Sequence, residues 1–430
     1  MNIKQGYKQT EIGIIPEDWE MKKLIDISQL ITKGTTPKKF SETGINFIKI
    51  ECFEGNLINQ EKCAFIDIIT HSTELKRSIL QEGDILFAIA GATIGKCNVV
   101  QSEILPANTN QALAIVRLKQ NENREFVYRL LASYKMQKYI TDNVSVGAQP
   151  NLNLEQIGNF LFAYPLFSEQ TAIATALSDI DALIGELDKL IAKKQGIKHA
   201  TMQQLLTGKK RLSGFGSTSK YKQTEIGVIP EDWEVKPLNE ITSLMTNGFV
   251  GISKSHYTDF DNGVIYIQGF NVEENSFNFT GIKKVTEEFH KRHSKSCLQE
   301  GDLLTIQTGD VGLTTIVPKE LAGSNCHALI ITRFKKGKFE PKFFSYYFNS
   351  WKGKKQLKEI ETGTTMKHIN VGHMIDVQIP IPPLKEQTAI ANILSDMDSE
   401  ISQLEGRRAK MGELKQGMMQ ELLTGRIRLI

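Results

Sequence analysis

The chain has 430 residues, 40% hydrophobic and 23% charged, with 52 basic residues against 49 acidic ones and a formal net charge of +3. This is the make-up of an ordinary globular protein of two or three domains; the charge does not announce a nucleic-acid binder, but permits one if basic residues cluster. No apolar run approaches the roughly 20 residues of a membrane span, MNIKQGYKQTEIG lacks the apolar centre of a signal peptide, and five cysteines (Cys52, Cys63, Cys97, Cys297, Cys326), without C-x-x-C spacing, fit reduced thiols in a cytoplasm.

Read from the start, the chain states one phrase and later repeats it. Tyr7 to Glu20 reads YKQTEIGIIPEDWE and Tyr221 to Glu234 reads YKQTEIGVIPEDWE, while EQTAIA occurs at Glu169 to Ala174 and again at Glu386 to Ala391. Two halves of nearly equal length can present two similar surfaces, which suits a two-part target.

Each half reads as a mixed α/β globule followed by a long helix. INFIKI (Ile45 to Ile50) and DILFAI (Asp84 to Ile89) are short β-rich runs, and VIYI (Val264 to Ile267) and DLLTI (Asp302 to Ile306) are their counterparts. The phrase QEGD leads into the second run of each pair, as a turn before a strand. Gly91 to Cys97, GATIGKC, nearly matches a phosphate-binding loop. It has three residues between its glycines where four are needed, and Cys97 where a Ser or Thr belongs, so a glycine-rich turn is the better reading.

After Ser168, a good helix cap, apolar residues fall at Ile173, Leu177, Ile180, Ile184, Leu187 and Ile191. The second copy has Ile390, Leu394, Met397, Ile401 and Leu404, with Met411 and Met418 on the same ladder. Alternating steps of four and three make a heptad seam, and two matched seams in one chain are expected to bury each other as an antiparallel coiled coil. From Glu169 to Thr207 such a helix measures about 58 Å at 1.5 Å per residue, enough to hold two domains at major-groove sites about 34 to 36 Å apart or slightly more. Gly208 and Gly425, each after Leu-Leu-Thr, read as helix ends. Ser213 to Ser219, SGFGSTS, reads as a flexible linker. The expected boundaries are a first globule over 1–167, a helical region over 168–212, a linker and second globule over 213–384, and a final helical region over 385–430.

Candidate chemistry is sparse. His290, His293 and Cys297 lie close together, but zinc needs about four ligands, no second pair is evident, and Lys291, Arg292 and Lys295 make the stretch a solvated basic face. Methyltransferase signatures and nucleophilic pairs are not evident, which argues against a self-contained enzyme. What remains is loops rich in cations and amides. These are Lys33, Thr35, Thr36, Lys38 and Lys39, then Asn108, Asn110 and Gln111, then Gln149, Asn151 and Asn153. In the second half they are Lys352, Lys354, Lys355 and Lys358 around Trp351, then Thr364, Thr365, Lys367, His368 and Asn370 in the place of the Gln149 loop. Lysine suits phosphates, and amides suit adenine edges; the plain alternative is that these are only polar loops.

Three features together resemble the specificity subunit of a type I restriction-modification system. They are IGIIPEDWE and IGVIPEDWE, the Pro-rich lead IPIPPLKEQTAI, and the LLTG that ends each heptad helix. The first half departs from the double-proline lead, with Phe162 to Ser168 reading FAYPLFS. The resemblance implies two α/β target-recognition domains separated by an antiparallel coiled coil, each domain reading one half of a gapped DNA site. It implies a subunit that is not itself an enzyme, docked to two methylation subunits that use S-adenosylmethionine to methylate adenine. Restriction subunits would join that complex, so ATP and magnesium belong to partners as well. A coiled-coil assembly protein without a DNA role, and a methyltransferase or nuclease with an unrecognised site, are the competing readings. Repeated parts suit a partner bound twice; divergent parts, such as GATIGKCNVV against TGDVGLTTIV, suit two different half-sites.

Overall fold

The computed structural model describes residues 3–144, 151–216, 220–364 and 367–429. Contacts divide the chain into two units, Met1–Leu187 with Arg407–Ile430, and Asp188–Gly406. The division passes through both long helices, Phe167–Leu205 and Leu384–Leu422. Among the described residues no helix is long and apolar enough to cross a membrane.

In the first unit a four-stranded antiparallel sheet runs in the order Cys97–Val99, Ile85–Ala88, Leu113–Leu118, Ser28–Lys33. Every residue of Ile85–Ala88 is buried because both faces of the strand are covered. Ile85 and Phe87 join one core with Val116, Phe126 and Phe162, while Leu86 and Ala88 join another with Leu113 and Ile115. Side chains alternate across a strand, so a continuous apolar run is what two flanking cores require. A smaller sheet pairs Ile45–Ile48 in parallel with Ala107–Thr109 and antiparallel with Ala64–Ile66. The second unit repeats the plan. Its sheet runs Thr242–Asn247, Leu329–Phe334, Leu303–Ile306, Thr314–Ile316, and Leu303 and Leu304 again serve different cores.

The repeated phrases turn out to be frame. In the QEGD turns, Asp84 and Asp302 accept the backbone N–H of Gln81 and Gln299, at 2.8 Å each. Each carboxylate also takes two guanidinium N–H groups at 2.7 Å, from Arg117 and Arg333 respectively. Asp302 is fully buried while Arg333 keeps about a fifth of its side chain in solvent. Removing the carboxylate strands a desolvated cation. Asp302→Ala should therefore destabilise the second unit by about 3 kcal/mol, seen as a lower urea midpoint with an unchanged m-value.

IPEDWE and EQTAI build one cluster in each unit. Trp19 donates Nε1–H to Glu169 at 2.9 Å, and Arg428 forks onto Glu169 and Asp18 at 2.6 to 2.8 Å. In the second unit Trp233 donates to Glu386 at 3.0 Å, and Arg211 forks onto Glu386 and Asp232 at 2.6 to 2.8 Å. Both tryptophans are wholly buried. The guanidinium of Arg428 holds Asp18 below the usual carboxylate range, and that of Arg211 does the same to Asp232. Gly208 and Gly425, at φ 69° and 70°, turn the chain after each LLT; a Cβ there would lie 2.4 Å from Pro230 or 2.5 Å from Pro16.

Within the second unit Lys194 pairs with Glu400 at 2.6 Å and Lys198 with Asp398. As one residue number rises the other falls, so these helix stretches are antiparallel. In the first unit Lys415 meets Asp181 at 2.6 Å. At its N-terminal positions the seam is shared with the globules. Ile173 and Leu177 pack into the globule core beside Trp19 and Phe126, and Ile390 and Leu394 into the core of Trp233 and Phe344. The same cores also hold Leu422 and Leu423, and Met202, Leu205 and Leu206, from the end of the other long helix, so the stripe there serves globule and helix together. Of the rest, Ile180, Leu187, Ile401 and Leu404 are buried, while Ile184, Ile191, Met397, Met411 and Met418 are half-buried. Ser168 lies inside the first helical turn and does not precede it.

Candidate nucleic-acid interface

Strand register gathers the candidate loops. In the first unit Ala88 faces Leu113, and Lys33 faces Ala114. The ends of two strands and the start of a third therefore share one edge of the sheet, and residues 34–40, 89–96 and 110–112 all leave from it. A bridge between Ala90 and Asn151, with Leu152 N–H bonded to Ile89 O at 2.9 Å, brings in the segment after residue 150. In the second unit Asn247 faces Ile330 and Ile306 faces Leu329. The corresponding loops are 248–256, 307–313 and 326–328, and the bridge joins Thr308 to His368. Gly34 and Gly248 fix the departure of the first loop in each unit. A Cβ on Gly34 would stand 2.0 Å from Thr109 O, and one on Gly248 2.7 Å from Cys326 O, so neither tolerates a side chain.

Most first-unit candidates meet at this edge. Lys33, Lys38, Lys39, Thr36, Gln111 and Asn151 are exposed, and Thr35 and Asn110 half-buried. The Thr36 hydroxyl bonds Gln111 Oε1, and Asn110 Oδ1 accepts Ala112 N–H at 3.1 Å. Asn153 is exposed but already caps the helix Leu154–Gly158, accepting Gln156 N–H at 2.8 Å. Gln149 and Thr365 lie outside the described residues.

Asn108 is a correction. It is fully buried, and its Nδ2 donates to Leu75 O at 3.0 Å and Ser78 Oγ at 3.1 Å. Asn325 occupies the same place in the second unit, bonded to Ser296 Oγ and His293 O. An asparagine repeated in both halves was the available signal that this one belongs to the frame. Arg77 was missed: it is exposed and its guanidinium reaches Thr35 Oγ1 at 3.4 Å. The basic pair Lys76-Arg77 was the cue in the sequence.

The second unit is less concentrated. The lysines of the helix Trp351–Glu359 fan out around it. Lys352 is half-buried beside Gly227, and burial, helped by the Lys209 charge, pushes its pKa down. Lys354 bonds Glu274 at 2.8 Å, Lys355 lies 5.8 Å from the Trp351 ring centre, and Lys358 is exposed. The helix reaches the edge through Leu357, which packs against Gly312. Thr364 and Lys367 are exposed; His368 and Asn370 are half-buried, His368 meeting the Thr362 hydroxyl at 3.1 Å. The segment 91–97 is a glycine turn, with Gly91 and Gly95 at φ 79° and 87° closing the hairpin between Ile85–Ala88 and Cys97–Val99. His293 packs at a tilt against Phe249 and Phe289, ring centres 4.5 and 4.4 Å away, and Lys291 and Arg292 pair with Glu287 and Glu288.

Comparison with known proteins follows the same division. The type I restriction modification DNA specificity domain matches residues 16–199 and again 230–411. The MjaX type I restriction enzyme specificity subunit of Methanocaldococcus jannaschii is 30% identical, over 99% of this chain and 97% of its own length. The MjaVIII specificity subunit of the same organism is 25% identical over the same shares. A chain solved in a study of assembly and conformational transition of the type I R-M system superposes with a TM-score of 0.60 at 17% identity, covering 96% of this chain and 99% of that one. The S subunit of a type I restriction-modification system from M. genitalium gives 0.56 at 13% identity, covering 98% of each chain. This chain belongs to the type I restriction modification DNA specificity family and carries the family's domain twice.

Proposed function

We propose that the chain serves as the specificity subunit of a type I restriction-modification complex, and that the two sheet edges are its DNA-reading surfaces. Each edge takes one half of a bipartite, gapped site, and the long helices set the spacing and dock the methylation subunits. Residues 1–167 and 213–384 are the recognition domains in this reading, and 168–212 and 385–430 the helical regions. The chain contributes recognition and no catalytic group. S-adenosylmethionine, ATP and magnesium belong to the methylation and restriction subunits, and the complex works in the cytoplasm.

One observation carries the reading. Residues shared by the two halves build the frame, as with Trp19 and Trp233, Asp84 and Asp302, and Asn108 and Asn325. Residues that differ, Lys33 to Lys39 against Asn247 to Ser253 among them, stand at the edges. A protein that reads two different half-sites needs that partition. The test is half-site resolved. Thr36→Val with Gln111→Ala should weaken binding to one half-site by about tenfold, as expected for losing one good base contact. Lys367→Ala with His368→Ala should weaken the other half-site only. The measurement is competition binding by the assembled complex, using duplexes scrambled in one half-site at a time. Equal losses at both halves would overturn the assignment, and no salt-sensitive binding at all would favour an assembly role without DNA.

A further inference from the structure

The loop after Thr242–Asn247 in the second unit has an unusual tip. It is anchored on one side at Phe249, whose N–H bonds Cys326 O at 3.0 Å and whose O accepts Ala328 N–H at 2.9 Å. The Phe249 ring packs on Phe289 at 5.0 Å and His293 at 4.5 Å. The other anchor is Ser253, only 5% exposed, with its hydroxyl 3.1 Å from Tyr257 OH, which in turn accepts Gln268 Nε2–H at 2.9 Å. Between the anchors stand Val250, 66% exposed, and Ile252, 86% exposed and the most exposed large apolar side chain among the described residues. Gly251 has φ 150°, and a Cβ there would meet the Phe249 ring at 2.9 Å. The tip is therefore a fixed turn that holds two branched aliphatic side chains in water, with Lys254 just beyond it.

Holding Ile252 in water on an anchored loop gains nothing for folding. The equivalent loop of the first unit, Gly34 to Lys39, is polar at its tip, with Thr35 and Thr36. Both loops leave the same edge of their sheets. On the base edges of the major groove the apolar group is the 5-methyl of thymine, and an exposed lysine beside it, as Lys254 is, suits a phosphate. We propose that Ile252, supported by Val250, reads a thymine methyl group in the half-site of the second unit, while the first unit reads its half-site through polar contacts. This rests on the assignment of the sheet edges to DNA.

The test uses the full chain assembled with its methylation subunits on a duplex bearing its mapped bipartite site. Each thymine is replaced singly by deoxyuridine, which removes only the methyl. At one position in one half-site affinity should fall about fourfold, the worth of one buried methyl-sized group. Ile252→Ala should weaken the thymine duplex by at least as much and erase the thymine–uracil difference at that position alone. Because Ile252 is exposed, its melting temperature should not move. A thymine–uracil difference unchanged by Ile252→Ala, or no position sensitive to the methyl, overturns the proposal. Fluorescence of 2-aminopurine that rises on binding and depends on Ile252, without a uracil effect, would overturn it in favour of a wedge between base steps. If Lys367→Ala with His368→Ala still weakens that half-site, the edge assignment survives a failure here; if neither variant affects binding, the edge assignment fails first.

Discussion

Glu169→Ala is expected to destabilise the first unit by about 3 kcal/mol, because it removes the acceptor shared by a buried indole and a guanidinium. The Glu169 side chain is 4% exposed and that of Arg428 18%. The indole of Trp19 is wholly buried in a core that includes Ile15, Ile173 and Leu422, so its Nε1–H has no other acceptor at hand once the carboxylate is gone. Glu169→Gln should lose less, since the amide oxygen can still accept from Trp19 and Arg428 keeps its pair with Asp18. Native-state hydrogen exchange resolves the units: protection should fall in Ile85–Ala88 and Leu113–Leu118 and hold in Leu303–Ile306 and Leu329–Phe334. Glu386→Ala should give the reverse pattern. Unchanged exchange in both sheets would show that the repeated phrases serve something other than stability.

Replacing Lys33, Lys38 and Lys39 together with alanine should weaken DNA binding by about 100-fold near 0.1 M salt, and lower the steepness of log K against log salt by about 0.9 for each lost phosphate contact. All three are exposed at the edge of the first sheet, so folding should be untouched. The measurement is a salt titration of binding to both the specific duplex and a scrambled one. Loss should be similar on the two duplexes, because phosphate contacts position a protein without reading sequence. A slope that does not change would remove these lysines from the interface.

The duplicated plan was legible because repetition is a pattern that needs no packing to detect. The strands Val264–Ile267 and Ile45–Ile48 were legible for a similar reason, being β-branched runs bounded by turns. The destination of the heptad stripe was not. Period tells which face of a helix is apolar, and Ile173 and Leu177 carry the same period whether they meet a helix or Phe126. The site was half legible. Lysines such as Lys38 and threonines such as Thr36 stand in a loop whose composition signals exposure. Asn108 is polar too, but sits on a strand whose inner face no local pattern reveals. Arg77 and Ile252 escaped for complementary reasons: one lies far along the chain from the loop it touches, and the other is of a residue type expected indoors.

Gly34 and Gly248 are equivalent take-off points, each held by a neighbouring backbone that leaves no room for a side chain. The strands behind them, Ser28–Lys33 and Thr242–Asn247, are paired along their length with Leu113–Leu118 and Leu329–Phe334. A loop transplanted from one glycine to the other would set out in the same direction from the same support. On the proposed assignment of the sheet edges to DNA, reading preference should be heritable in loop-sized pieces, and recombination at the two glycines should reassort specificities while leaving the supporting architecture intact.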